Sequence, residues 1–173
     1  MAAALVQSGQ QPGKHRPAAA GKPHGETHYI IERRPHGPKA YSLARDGALH
    51  LTPHFRVREF ACRDGSDPIF VEEELAALLE AIRLHFGCPV AITSGFRTAA
   101  HNASIPGASP HSQHLYGRAA DFRVEGVSVA EAAAYAETLL PGKGGIGRYP
   151  PRKGRACGWV HLDTRGTKAR WTG

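Results

Sequence analysis

Between residues 72 and 86 the apolar side chains Leu75, Leu78, Leu79, Ile82 and Phe86 recur at helical spacing, and this stripe constrains the fold more than any other stretch. Glu72, Glu73 and Glu74 stand in the first turn, where the helix dipole favours acids, and Gly87 stands just past the end. A helix with one apolar face must bury it. Short β-rich runs at 89–93, 119–124, 144–149 and 158–163, with 168–171 as a last edge, supply the partner surface. Ser128-Val129-Ala130-Glu131 reads as a capping box opening a second helix to about Leu140, where Pro141-Gly142 stops it. The segment 54–60 alternates apolar and charged residues and is expected to lay one face on the core, before a turn at 63–68. Helices and strands mix without the regular alternation of a doubly wound fold, so the expected class is α+β.

The chain has 173 residues, the length of one ordinary domain. Residues 1–40 are rich in Gly, Pro, Ala, Lys and His and show little periodicity apart from His28-Tyr29-Ile30-Ile31. They are read as a flexible basic arm and lead-in, with a single domain over 41–173. A composition of 41% hydrophobic and 21% charged residues excludes disordered and collagenous classes. No stretch approaches the roughly 20 apolar residues that cross a bilayer. The first residues carry neither a basic leader region nor a secretory apolar core, so no ordinary export signal is expected. Cys62, Cys88 and Cys157 lie far apart with no CxxC pair, which predicts free thiols, buried or half-buried.

The net charge of +7 is unevenly distributed, with six bases and two acids in residues 1–40 and eight bases and one acid in residues 141–173. Such ends suit an anionic partner: nucleic acid, an anionic membrane or an anionic wall polymer. Neither aromatic residues interleaved with the bases nor a helix-turn-helix pattern is present, so nucleic acid is not the expected partner.

The chemistry concentrates in Ser112-Gln113-His114-Leu115-Tyr116-Gly117-Arg118-Ala119-Ala120-Asp121 and, forty residues on, Trp159-Val160-His161-Leu162-Asp163. A zinc hydrolase needs three protein ligands and one open position, with imidazole and carboxylate as suitable donors. His114 in a loop, Asp121 on the next strand and His161 on another strand supply such a set. Gly117 permits a tight turn between the first two, and the small Ala119 and Ala120 permit close packing. A His and an Asp at this spacing occur often by chance, so the pair alone carries little.

The pattern S-x-H-x-x-G-x-A-x-D, met by Ser112, His114, Gly117, Ala119 and Asp121 and followed by a histidine-bearing strand, resembles the zinc peptidases of the D-alanyl-D-alanine carboxypeptidase family, which share a fold with the hedgehog amino-terminal domain. The resemblance extends through residues 55–62, Ile92-Thr93-Ser94-Gly95-Phe96-Arg97-Thr98, Asn102, Gly145-Ile146-Gly147-Arg148-Tyr149 and Arg170-Trp171, and is strongest to short single-domain members often encoded by prophages. It covers roughly residues 50–173. It implies a small antiparallel sheet flanked by helices and one zinc ion held by His114, Asp121 and His161.

By the same resemblance Arg97 faces the site and would bind a substrate carboxylate or the oxyanion. Several relatives carry a catalytic acid or histidine two or three positions before the last ligand histidine; here those positions hold Trp159 and Gly158. Asp163, on the same face of its strand as His161, is expected to take the water proton as general base, the alternative being that it orients His161. Ser112 and Gln113 would contact substrate or shape the ligand loop, and Tyr149 and Trp159 would wall the cleft. His101 and His111 match no ligand position and are expected to be solvated. The expected activity is zinc-dependent hydrolysis of a stem or cross-bridge peptide bond in peptidoglycan, as a carboxypeptidase or an endopeptidase. The alternative is a zinc-containing wall-binding or virion component without catalysis. The protein is expected to be a monomer, made in the cytoplasm and acting at the wall after release or phage delivery, with the basic C-terminal segment available to anionic wall polymer.

Overall fold

The computed structural model describes residues 37–173, so most of the arm read over residues 1–40, including the patch at 28–31, lies outside the described residues. In chain order the elements are β1 (Lys39–Tyr41), α1 (Leu43–Asp46), a 3-10 turn at Val57–Phe60, β2 (Ile69–Val71), α2 (Glu73–Phe86), β3 (Val90–Ser94), α3 (Ala99–Ser104), a second 3-10 turn at Gln113–Tyr116, β4 (Ala119–Val124), α4 (Val129–Leu139), β5 (Gly145–Tyr149), β6 (Trp159–Asp163) and β7 (Ala169–Thr172). Strands β1 and β2 form a small antiparallel pair, and a five-stranded sheet follows in the order β3-β4-β6-β5-β7. The α+β expectation holds, and the two long helices fall where periodicity and capping put them. Ser128 and Glu131 make the reciprocal capping box of α4, and Gly87 closes α2 in the left-handed region at φ 63°.

One strand pair departs from an antiparallel sheet. β7 runs parallel to β5, Gly145 opposite Ala169 and Gly147 opposite Trp171. β6 ends beside the start of β5, and the short link 164–168 carries the chain over β5 to its far edge at that same end. The new strand therefore has to begin where β5 begins.

Side-chain parity along the strands then decides everything about the site. Ala120, Phe122 and Val124 of β4, Ile146 of β5 and Val160 and Leu162 of β6 are buried in one cluster with Leu75, Leu78, Leu79 and Ile82 of α2 and Ala132, Ala133 and Ala136 of α4. The intervening residues Asp121, Gly145, Gly147, His161 and Asp163 fall on the opposite face of the same strands. Small alanines on α4 let it lie close against the sheet, while the leucines of α2 fill the remaining volume.

The 54–60 segment buries Phe55, Val57 and Phe60 as expected, the last two within the 3-10 turn. It is tied to α2 by Glu80, whose fully buried carboxylate accepts hydrogen bonds from Thr52 Oγ1 at 2.8 Å and the His54 backbone N–H at 3.2 Å and meets His54 Nδ1 at 2.6 Å. Burial acts to raise the pKa of this group, but the bonds from His54 and Thr52 outweigh it and lower it. A depressed carboxylate pKa contributes stability at pH values above the ordinary glutamate range, and that contribution is lost as pH falls through the lowered pKa. Glu80→Gln is therefore expected to cost about 1–3 kcal/mol in urea unfolding at pH 7. The difference from wild type should shrink in acid; a gap that stays constant down to strongly acid pH would contradict this account.

Candidate metal centre and cleft

His114, Asp121 and His161 converge although they come from three separate elements. Asp121 and His161 sit directly opposite each other in the β4–β6 register. His114 is delivered by the second 3-10 turn, which ends at Gly117 with φ 64°. A Cβ on Gly117 would lie 2.4 Å from the Phe70 carbonyl oxygen, so both conformation and space require glycine there. The main chain of Arg97 donates to the His114 carbonyl at 3.1 Å and fixes the turn against the strand end.

The Gly95 carbonyl fixes the tautomer of His114, while each nitrogen of His161 faces a carboxylate. His114 Nδ1 donates to the Gly95 carbonyl at 2.7 Å, which leaves a lone pair on Nε2. His161 Nε2 faces Asp163 Oδ2 at 3.1 Å, and donation to it from the neutral ring leaves a lone pair on Nδ1. These two lone pairs and Asp121 Oδ1 point at one another: His114 Nε2 to His161 Nδ1 is 3.2 Å, His161 Nδ1 to Asp121 Oδ1 2.9 Å, and His114 Nε2 to Asp121 Oδ1 3.4 Å. Three buried acceptors at these distances need a cation between them. Two imidazoles and one carboxylate are a donor set suited to a divalent metal such as zinc. In the metal-free protein a proton takes that place. Burial opposes the cation of His161, but Asp121 and Asp163 on its two nitrogens outweigh burial and raise its pKa, whereas burial lowers that of His114. Burial likewise acts against the Asp121 anion, yet its bonds to His114 and His161 hold it well below the usual carboxylate range.

Two side chains brace the triad. Arg97 Nη2 donates to Asp121 Oδ2 at 2.7 Å and its Nε to Ser94 Oγ at 2.9 Å, leaving Oδ1 of Asp121 for the centre. Asp163, fully buried, lies behind His161 and not in front of it. Its oxygens accept from the Gly145 N–H at 2.9 Å, the Arg165 N–H at 3.0 Å, Arg165 Nε at 2.8 and 2.9 Å and Arg165 Nη2 at 2.6 Å, as well as from His161. Burial acts to raise its pKa, but His161 and Arg165 lower it, so Asp163 stays an anion.

The two glycines of β5 explain how this fits. Gly145 and Gly147 lie opposite Asp163 and His161 in register. A Cβ at Gly145 would stand 2.1 Å from Asp163 Oδ2, and one at Gly147 would stand 2.5 Å from the Trp171 ring. Side chains are absent from this part of β5 so that the carboxylate and the indole can cover it.

The triad forms the floor of a cleft of about 570 Å³. One wall is the loop 105–113, held down by buried Asn102, whose Nδ2 donates to the Ser109 carbonyl at 2.9 Å. The other wall is aromatic. Tyr149 and Trp159 stack with centroids 4.7 Å apart, and Trp171, 5.2 Å from the His161 ring, donates through Nε1 to the Tyr149 hydroxyl at 2.9 Å.

Every substrate-contact residue expected from the sequence, Arg97, Ser112, Gln113, Tyr149 and Trp159, lines this cleft. Among the cleft residues not expected there are His111, which is exposed as expected but lines the cleft, together with Arg165 and Trp171. The D-x-R spacing of Asp163 and Arg165 was the available signal for the second; nothing in the sequence reveals that β7 brings Trp171 beside His161. His101 is half-buried and does not line the cleft. Of the thiols, Cys62 is buried and Cys88 half-buried as expected, while Cys157 is exposed.

The profile of the family described as Peptidase M15 matches residues 50–163, which takes in the whole triad and its bracing residues. The chain belongs to the peptidase M15 family. The α+β architecture agrees with that membership, and the His-Asp-His floor is where an M15 peptidase would hold its metal. A curated relative, the probable peptidoglycan L,D-endopeptidase MepK of Haemophilus influenzae, is 33% identical over 88 residues. The match spans 49% of this chain and 43% of that protein, so less than half of the relative's length is represented. No helix among the described residues is long and apolar enough to cross a membrane.

Proposed function

We propose that this M15 peptidase hydrolyses a peptide bond in the stem or cross-bridge of bacterial peptidoglycan, using a single zinc ion. The observation that carries the reading is the convergence of three buried donor atoms suited to a metal, His114 Nε2, Asp121 Oδ1 and His161 Nδ1, on the floor of a cleft. Zinc bound by these three atoms would act as a Lewis acid and make water a competent nucleophile near neutral pH. The name of the curated relative favours an internal cut over removal of a terminal residue.

The roles of the chain's own residues follow from their contacts. Arg97 keeps Asp121 in one orientation and presents positive charge at the cleft floor, where a substrate carboxylate or the developing oxyanion is held. Tyr149, Trp159 and Trp171 exclude water from one side of the peptide, and Ser112 and Gln113 offer hydrogen bonds from the other. Asp163 is a positioning residue: a carboxylate with a lowered pKa, surrounded by N–H donors behind the metal ligand, is badly placed to take a proton from the cleft. His111 is the imidazole lining the cleft outside the triad and is the group to test as proton acceptor. On this reading the site of action is the cell wall, reached from the cytoplasm by release or on a particle, and one chain suffices for the site.

A second reading is supported by one observation. Asp121 is the only carboxylate lining the cleft among the described residues, as expected of a zinc-containing wall-binding module without catalysis. Mass spectrometry of defined muropeptides incubated with the zinc-loaded protein, with and without a chelator and beside His111→Ala, separates the two. A chelator-sensitive product identifies the bond and establishes the peptidase. Uncut substrate with one zinc retained per chain would select the binding module.

A further inference from the structure

The eight bases of residues 141–173 do not contribute equally to the surface. Lys143 pairs with Glu74, Arg165 with Asp163, and Lys168 and Arg170 with Glu137, so half of them are neutralised within the fold. The other half, Arg148, Arg152, Lys153 and Arg155, lies on the hairpin joining β5 to β6, whose two ends carry the cleft residues Tyr149 and Trp159. No acid occurs between Glu137 and Asp163 in the chain.

Arg155 is structural. Its guanidinium lies 4.8 Å from the Trp159 ring centroid and donates to the Pro150 carbonyl at 2.7 and 3.1 Å and to the Gly173 carbonyl at 3.0 Å. Reciprocal main-chain bonds between Arg152 and Arg155, at 2.8 and 2.9 Å, close the tip around Lys153 and Gly154. The finger is thereby held against the aromatic wall of the cleft. Arg152 and Lys153, at its tip, and Arg148, at its base but by strand parity on the sheet face opposite the cleft, are exposed, and among the described residues no carboxylate pairs with them. The two solvated cations at the tip of this ordered projection, Arg152 and Lys153, with no internal anion, form a fixed field that attracts an anion already near the cleft.

We propose that this hairpin is an exosite for carboxylate-bearing polymer: the free carboxylates of stem peptides next to the one lying in the cleft. The inference rests on the peptidoglycan reading for its choice of polymer. The finger adjoins the cleft wall, so a neighbouring stem on the same strand or sheet of polymer reaches it while another is bound for cleavage. A soluble single stem has no such neighbour. The attraction is screened over about 8 Å at physiological ionic strength, so it acts at short range and weakens with salt.

The test uses the full chain carrying Arg152→Gln and Lys153→Gln together, with Lys153→Glu as a second variant, each checked for wild-type circular dichroism. Binding to purified, insoluble sacculi is measured with the metal chelated, so that no cleavage is needed. The expected result is a loss of affinity of about tenfold in the double variant and a flatter dependence on salt. Amidating the sacculus carboxylates should weaken the wild type to the same level. Turnover of a soluble single-stem muropeptide should be unchanged. Undiminished sacculus binding by the variants, or wild-type binding to amidated sacculi, would overturn the proposal. So would equal affinity and salt dependence on duplex DNA or on phosphatidylglycerol vesicles, which would make the finger a generic basic surface. If binding behaves as expected and no muropeptide is cut, the exosite stands and the peptidase reading fails.

Discussion

Stripping the metal, or replacing Asp121 or His161 by alanine, is expected to abolish hydrolysis and to lower the thermal stability of the protein together. A bound metal contributes several kcal/mol to the transition state of such a hydrolysis, so the rate should fall about 10³-fold or more. The stability effect has a separate origin. In the apoprotein, Asp121 Oδ1 faces two imidazole nitrogens at 2.9 and 3.4 Å, and only a proton on His161 relieves the clash of acceptors. A cation bound to the native state alone stabilises it by about 4 kcal/mol when free metal stands at 1,000 times its dissociation constant. For a chain of this length that is a rise in Tm of roughly 8–16 °C. The decisive comparison is His114→Ala, because His114 holds its tautomer through Gly95 and does not touch Asp163. Scanning calorimetry of this variant should show a Tm indifferent to zinc, and metal analysis should show an empty site. If the wild type is equally indifferent, or if the variant gains the full increment, the triad is not the metal site.

Much of this centre was legible before any coordinates. The family pattern in Ser112–Asp121 and the histidine of β6 named all three members of the triad, which the spacing of His114 and Asp121 alone does not, because a turn, a strand and a second strand impose residue types that survive as a pattern. The helices α2 and α4 were legible through periodicity and capping over 14 and 11 residues. The elements that escaped notice, β1, α1, β2 and α3, have three to six residues each, too few for a period to show. What the sequence concealed at the site was a matter of neighbours. Parity puts Asp163 on the same face as His161, but only the glycine opposite it, Gly145, tells the carboxylate to lie over β5 behind the imidazole. Likewise the row Asp121, His161, Gly147, Trp171 crosses four strands, and its last member is known only once β7 is seen to run parallel to β5.

Asp163→Asn distinguishes a base from a positioning group, and its expected phenotype is a loss that added zinc repairs. Removing the charge behind His161 weakens that nitrogen's partner and leaves Arg165 without its anion, so metal affinity should fall about 10- to 100-fold. With zinc supplied well above the new dissociation constant, the site refills and kcat returns to near the wild-type value. A general base behaves otherwise: an amide cannot accept the proton, and kcat would stay down by about 10²–10⁴-fold however much zinc is bound. The experiment is therefore a titration of muropeptide hydrolysis against free zinc for wild type and variant, with metal content measured in parallel. Recovery by zinc fits a carboxylate whose two oxygens already hold Gly145, His161 and Arg165. A fully metallated but inactive variant would mean that Asp163 turns out of this pocket during the reaction, and Arg165, 5.7 Å from the Trp171 ring centroid, would have to move with it. That outcome would assign the role of base to Asp163 rather than His111 and make the Asp163–Arg165 pair a moving part of the cleft.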